Sequence, residues 1–583
     1  MPPNAVPLVR SLRTGGTRVL AGRTFAARNA SVARFARQSL AKSGSTAATR
    51  VDLGRTLSPR STRVADSGAP LTRYALIARF ASGDWLALAN PHETGSPPHY
   101  RVHVTTGTGW LVPDQVDVLV VGFGIAGGCA AVEAAAAGAS VQILERAAVA
   151  GGTSAMAGGH FYLGGGTVVQ RATGHSDTPD EMCAYLMAVT PEPEPDKIRA
   201  YADGSAEHCD WLESLGFQFE RSYYPDKAVI QPQTQGLMHT GNEKVWPFRE
   251  LAVPAPRGHK VPVPGDTHGA RLVVDLLVRR AAELGVAVGY ETGVTELIVT
   301  NGRVTGVRWR SFGETGVSLA RSVILAAGGF VMNADLVARY VPQLAAKPFI
   351  LGTTYDDGAG ILLGLAAGGQ ALHMDQAFIT APCYPPATLL TGIIVNRDGR
   401  RFVAEDSYHS RTSAFVLEQP GSAAFLIVDS AHLAYPELPL VPFVDGWESV
   451  EEMEAGLGIP AGNLVTTLAR YNADAAAGED REFRKHPDWL APQDQAPWGA
   501  FDLTLGKAMY AGFTLGGLRC TVDGQVQRGD GTIVAGLYAA GACASNIAQD
   551  GKGYSSGTQL GEGSFFGRRA GRHAAGQRAA AAP

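Results

Sequence analysis

Hydrophobic positions fall into short, nearly unbroken runs punctuated by glycine, with helical stretches between them. Residues 116–121, Val-Asp-Val-Leu-Val-Val, are β-branched and almost continuous, as in a parallel strand buried on both faces. An alanine-rich stretch over 125–137 predicts a helix, ended by Gly138 just past its last turn. Residues 140–144 predict a second strand that ends at Glu145, so the segment reads as one βαβ unit. Amphipathic helix is predicted over 179–216 and again over 266–286, the latter closing at Leu284-Gly285. Residues 287–310 alternate like a β-meander, with Asn301-Gly302 as a hairpin turn. A strand over 322–327 runs into Gly328-Gly329, and an apolar helix over 358–368 opens at Asp356-Asp357-Gly358. A strand over 533–541 and a last helix over 559–575 close the pattern.

Residues 371–505 differ in texture, with more proline, aromatics and charge, and predict a separate lobe. The expected fold class is α/β. A Rossmann-like dinucleotide-binding domain over 113–370 and 506–577, a parallel sheet with helices on both faces plus a β-meander, is interrupted by an inserted α+β lobe over 371–505. Residues 1–112 are expected to form a poorly ordered basic extension. The first 50 carry many arginines and neither Asp nor Glu, which fits a mitochondrial presequence or a basic leader from an upstream start in a bacterial gene. The second reading, with a cytoplasmic protein, is preferred.

Charged residues make up 18% of the 583 and net charge is −4, so nothing points to nucleic acid or an anionic membrane. The six cysteines, at 129, 183, 209, 383, 520 and 543, show no CxxC spacing, which argues against a metal cage or disulfide framework. No apolar run is long enough to predict a transmembrane helix.

Gly122-Phe123-Gly124-Ile125-Ala126-Gly127 is GxGxxG, a weak signal alone. Here it follows a strand, opens a helix and precedes an acidic strand end at Glu145, which makes it a dinucleotide fingerprint. Gly122 permits the tight turn, Gly124 admits a pyrophosphate, Gly127 lets helix approach strand, and Glu145 suits ribose hydroxyls. NAD and FAD share this fingerprint. After Arg146 comes a second glycine loop, Gly151-Gly152-Thr153-Ser154 and Ala157-Gly158-Gly159, which suits a flavin better.

From Val116 through Gly159 the chain resembles the fumarate reductase/succinate dehydrogenase flavoprotein family. So do Ala326-Ala327-Gly328-Gly329-Phe330, Tyr355-Asp356-Asp357-Gly358 and Gly536-Leu537-Tyr538-Ala539-Ala540-Gly541. The resemblance spans about 113–577. It implies FAD contacts from Gly122, Gly124, Ala126, Gly127, Glu145 and Arg146, then Gly152, Thr153, Ser154, Gly158 and Gly159. It further implies Val294, Ala327, Gly328, Asp357 and Gly541, with Gln559 and Leu560 opening the last helix toward the flavin pyrimidine. Gly152-Thr153-Ser154 stands where some relatives attach FAD through histidine, so noncovalent FAD is expected. Ala542-Cys543 departs from the Gly-Glu of many relatives, and Cys543 reads as a small buried residue.

Fumarate reductases need paired cations, and Arg411 lies near the position of their proton donor. The loop before the last helix, Gly553-Tyr554-Ser555-Ser556-Gly557, offers hydroxyls instead. It resembles that of 3-ketosteroid Δ4-(5α)-dehydrogenases, and carrying their pattern over assigns Tyr408, Tyr554 and Ser556 as catalytic. The implied reaction sets a C4–C5 double bond into a 3-keto-5α-steroid. Tyr554 would hydrogen-bond the C3 oxygen, Ser556 would take the C4 proton, Tyr408 would pass it to solvent, and the C5 hydrogen would leave as hydride to flavin N5. Open alternatives are a reductase of a fumarate-like alkene, Δ1 desaturation, and a flavin-bearing electron-transfer or redox-sensing protein. The implied partners are a small apolar ketone and an unidentified electron acceptor.

Overall fold

The β-branched run over 115–121 becomes the centre of a sheet because its alternate residues feed two different cores. Val118 and Val120 face one, and Leu119 and Val121 the other, none more than 6% exposed. The computed structural model describes residues 76–79, 85–88 and 115–577, apart from 230, 266 and 346–348. In the N-terminal unit, strands Leu76–Arg79 and Trp85–Leu88 pair antiparallel. The rest of 1–112, with its expected poor order, lies outside the described residues.

In the larger unit, Gln115–Val121 runs parallel to Val141–Leu144 on one side and to Glu314–Leu325 on the other. Ala287–Gly289 and Ile533–Ala539 extend the parallel sheet at its two ends, and Gln525–Gln527 adds an antiparallel edge. Helices Ile125–Ala136, Arg271–Glu283 and Thr558–Gly576 pack on the Val118 face. The opposite face carries the meander and the helix Ala359–Ala366. This is the α/β, Rossmann-like arrangement with a meander that the sequence pattern implies.

Three local expectations change. The helix over 179–216 is two helices, Pro179–Val189 and Pro195–Ser214, because Pro191 and Pro193 supply no N–H and push their predecessors out of the helical region. The strand over 322–327 is Glu314–Leu325. Its first half pairs antiparallel with Arg303–Ser311 and its second half joins the parallel sheet, while Ala326 and Ala327 lie beyond its end. Over 392–411, where the family resemblance implies a strand–turn–strand hairpin, the chain forms one strand, Ile393–Asn396, and a single bridge from Val395 to Arg401. Arg401 Nη2 meets Glu405 at 2.8 Å and Asp480 at 2.9 Å. An extended strand would hold residues four apart at about 13 Å, so this ion pair demands a compact turn. Tyr408 consequently caps the helix His409–Glu418 rather than lying in a hairpin.

Within 371–505 a four-stranded antiparallel sheet runs in the order Ile393–Asn396, Ala424–Asp429, Trp498–Asp502, Phe443–Trp447. Helices Val450–Leu457 and Asn463–Ala476 pack on it through Met453, Leu464, Leu468 and Tyr471. A small sheet takes the chain into and out of this region: Ala377–Thr380 pairs antiparallel with Ala511–Thr514, which runs parallel to Phe349–Ile350.

Candidate active site

The first turn after Gln115–Val121 is tight because Gly127 has no side chain. A Cβ there would lie 2.0 Å from the Gly122 carbonyl oxygen. Helix Ile125–Ala136 thereby packs directly onto the turn and presents its N-terminus to a cavity of about 1190 Å³. Single-ligand pockets run to roughly 1,000 Å³, so this one has room for a dinucleotide and a second molecule.

Gly122, Gly124 and Ala126 line the cavity at the helix N-terminus, while Gly127 packs behind it. Glu145 lines it too, its two carboxylate oxygens accepting from the Phe123 and Ala147 N–H groups, each at 2.7 Å. Burial raises its pKa, and those backbone donors oppose the rise. Arg146 Nη1 lies 2.6 Å from Asp357 Oδ2, and both residues line the cavity, as does Val294. From the second glycine loop come Gly152, Thr153 and Ser154, then Gly158 and Gly159. Ser154 Oγ accepts the Ile125 N–H at 3.1 Å, which ties this loop to the first. Ala327, Gly328 and Gly541 complete the crease, and Gln559 and Leu560 open the final helix onto it.

Two residues here lie outside the FAD contacts that the resemblance implies. Asp356, buried and with a raised pKa caused by burial, accepts from the Thr153 hydroxyl and from the Thr353 N–H at 2.9 Å. Cys543 Sγ receives the Ala327 N–H at 3.1 Å and donates to Gly328 O at 3.2 Å, and burial pushes its thiol up to about 12. It is a buried packing residue, as expected.

Tyr408, Tyr554 and Ser556 line the same cavity. Tyr408 comes from the lobe side, and the other two from the loop before helix Thr558–Gly576. The Ser556 side chain neighbours the Tyr408 hydroxyl. Burial, and secondarily the neighbouring Tyr554 and Tyr384, hold the Tyr408 pKa well above the ordinary phenol, and Ser556 acts to lower it. Burial raises Tyr554 as well, and its hydroxyl faces the Gln559 N–H at the helix start. A phenol that burial keeps protonated has its own proton to donate into the cavity.

The wall beside these hydroxyls is one face of the small sheet. Phe378 and Thr380 on one strand, Ala511 and Phe513 on its partner, and Leu351 past the third all line the cavity. Phe378 and Phe513 stack at 4.7 Å, and the Tyr554 ring meets them edge-on at 4.7 and 5.7 Å. The period of two that aligns this face is visible in the sequence, but the pairing of residues more than a hundred positions apart is not.

His409 and Arg411, at the start of the helix after Tyr408, separate clearly. His409 is buried and lines the cavity; Nδ1 meets Thr380 Oγ1 at 2.7 Å, and burial pushes its pKa down to about 3, so it is neutral. Arg411 does not line the cavity, its guanidinium lying 4.9 Å from the Phe248 ring centre and 5.1 Å from that of Phe415. Among the described residues the cations lining the cavity are Arg146 and Arg310. Gly293, the register partner of Arg310, packs on the Arg146 side chain, so both lie at the Glu145 end. No group of His, Cys, Asp and Glu among the described residues has metal-binding geometry, and no described helix is long and apolar enough to cross a membrane.

A glycine-cradled helix N-terminus, an acidic strand end and a second glycine loop around one long cavity define an FAD-dependent oxidoreductase. Residues 117–563 match the model of the FAD binding domain family, and the chain belongs to that family. It is similar to the 3-oxo-5-alpha-steroid 4-dehydrogenase of Comamonas testosteroni, 28% identical over 73% of this chain and 92% of that protein. It is equally similar to a cytochrome-type fumarate reductase of Shewanella frigidimarina, 28% identical over 79% of this chain and 77% of that one. Among solved structures, the 3-ketosteroid-delta4-(5alpha)-dehydrogenase of Rhodococcus jostii RHA1, in complex with 4-androstene-3,17-dione, superposes with a TM-score of 0.75. It is 39% identical, covering 81% of this chain and 98% of that one.

Proposed function

We propose that this protein desaturates a 3-keto-5α-steroid between C4 and C5, with the 371–505 lobe and the small sheet holding the substrate against noncovalent FAD. The observation that carries the reading is the convergence of Tyr408, Tyr554 and Ser556 on an apolar sheet face, while the cavity's cations, Arg146 and Arg310, gather around Gly293. A flat hydrocarbon with one ketone fits that wall, and a dicarboxylate does not, because Arg411 is spent on two phenyl rings. The steroid complex of the Rhodococcus relative supports the same substrate class.

Tyr554 donates to the C3 oxygen and stabilises the charge that develops there as the C4 proton leaves. Ser556 Oγ accepts that proton as it passes its own to the Tyr408 oxygen, and Tyr408 releases its hydroxyl proton to solvent, so both hydroxyls end neutral, as burial of the phenol requires. Bound FAD supplies the acceptor for the C5 hydride. Its dinucleotide is held by the Gly122–Ala126 turn and the residues around Glu145 and Thr153, and Gly152-Thr153-Ser154 offers no imidazole for attachment.

The test is anaerobic addition of steroids to the yellow holoenzyme. A saturated 5α-3-ketosteroid bleaches the flavin and yields the 4-ene. Bleaching by a 4-ene-3-ketosteroid alone assigns Δ1 chemistry, and reoxidation of reduced protein by fumarate alone assigns the reductase; either result overturns the proposal. Acid precipitation that leaves the flavin with the protein pellet overturns the noncovalent assignment.

A further inference from the structure

We infer that Asn242 is a positioning residue that holds the Tyr408 and Ser556 arms beside each other for the proposed relay. The chemistry it serves rests on the function proposed above; the geometry does not.

Thr240-Gly241-Asn242 lies buried between strand Leu237–Met238 and helix Phe248–Leu251, outside the cavity lining. It touches both arms of the relay. Asn242 Oδ1 accepts the Tyr408 N–H at 2.9 Å, and Asn242 Nδ2 donates to the Lys552 carbonyl at 3.3 Å. Two residues back, the Thr240 carbonyl accepts the Ser556 N–H at 2.8 Å. Between them a Cβ on Gly241 would fall 2.1 Å from Ser555 Oγ, so the loop closes onto the segment only because position 241 is glycine. The Asn242 N–H is in turn fixed by Tyr185 Oη at 2.9 Å, which also lies 3.3 Å from Ser555 Oγ.

Tyr408 and Ser556 are far apart in sequence and reach the cavity from different elements. Each is nonetheless referenced through its backbone N–H to the same three residues. Asparagine fits the task because one side chain must accept from one arm and donate to the other. Proton transfer needs the two hydroxyls within about 2.6–3.2 Å, and a displacement of about 1 Å can slow a reaction on the order of 100-fold. Neither Asn242 nor Tyr185 lines the cavity, so their removal leaves the contact surface for steroid and FAD intact.

The experiment compares holoenzyme with Asn242→Ala and with Tyr185→Phe, which keeps the ring and deletes the phenol. Three readouts are taken: kcat and KM for a saturated 5α-3-ketosteroid, the isotope effect of deuterium at C4, and amide hydrogen exchange of peptides spanning 404–412 and 552–558. In Asn242→Ala, kcat falls roughly tenfold to 100-fold with KM within about twofold, FAD content unchanged and a larger C4 isotope effect. In Tyr185→Phe the loss is several-fold, about the size of one hydrogen bond. Both peptides exchange faster together. Unchanged kcat, or a loss confined to KM or to FAD content, overturns the inference. Should Asn242→Ala fail to fold, Tyr185→Phe decides by the same criteria. Should wild type turn over no ketosteroid, the proposed function falls and hydrogen exchange decides alone: unaltered protection around Tyr408 in the variants overturns the positioning role.

Discussion

Replacing Tyr554 by phenylalanine separates the ring from its hydroxyl. The ring is 5% exposed and held edge-on by Phe378 and Phe513. Each such contact is worth about 0.5–1.5 kcal/mol beyond burial, and phenylalanine keeps both. The deleted oxygen faces the Gln559 N–H, and losing at most one neutral hydrogen bond, net about 1 kcal/mol, drops the melting temperature by no more than about 4 °C. The substrate loses a donor that tightens as charge builds on the C3 oxygen. Removing one such donor costs about 2.7–4 kcal/mol in the transition state, or roughly 10²–10³ in kcat. Ground-state binding loses about one ordinary hydrogen bond, so KM rises only about fivefold. Burial holds the wild-type phenol far above its ordinary pKa, so the donor stays protonated through mildly alkaline pH and the loss in Tyr554→Phe is independent of pH there. The assay is stopped-flow flavin bleaching without oxygen, with FAD content checked by release on denaturation. A bleaching rate within about threefold of wild type, FAD retained, would refute the oxyanion role of Tyr554.

Ser556→Ala should halt bleaching while leaving the protein yellow; retained activity with full FAD content rules out Ser556 as the proton acceptor. Gly127→Ala places a methyl 2.0 Å from the Gly122 carbonyl oxygen, so helix and turn must separate; the expected outcome is a colourless protein, read from the flavin absorbance after purification. Glu562 is buried beneath the 547–548 segment, accepting the Ile547 N–H at 2.8 Å, and burial pushes its carboxyl up to about 8. The unfolded chain releases this proton near pH 4.5 while the fold keeps it, so the group's contribution to stability falls as pH rises from about 4.5 to 8 and is flat beyond. Glu562→Gln cannot ionise, and its melting temperature relative to wild type should climb across that window; a constant difference would mean Glu562 titrates normally.

The parts legible in the sequence are those whose physics is local. A turn that must be glycine, a helix opening at it and an acidic strand end all fall between 116 and 145, and the structure assembles them around one cavity. The Tyr554 loop was picked out by its resemblance to that of the 3-ketosteroid Δ4-(5α)-dehydrogenases, and the structure brings Tyr554 and Ser556 to the same cavity. Illegible parts are set by pairing across the chain. The compact turn that carries Tyr408 into a helix cap depends on Arg401 finding Asp480, 79 residues away, and without that partner the local pattern reads as hairpin. The apolar cavity wall exists because Ala377–Thr380 pairs with Ala511–Thr514 in one register; a slip of one residue would turn Phe378 and Phe513 away from each other. Asn242 shows the limit most sharply. Its two side-chain partners lie 166 and 310 positions off, and no spacing rule connects a buried asparagine to either. The fold therefore shapes the dinucleotide turn by short-range geometry and gathers the Tyr408, Tyr554 and Ser556 hydroxyls by long-range pairing, and substitutions at distant positions such as 185, 242 and 480 should alter turnover while sparing the yellow colour.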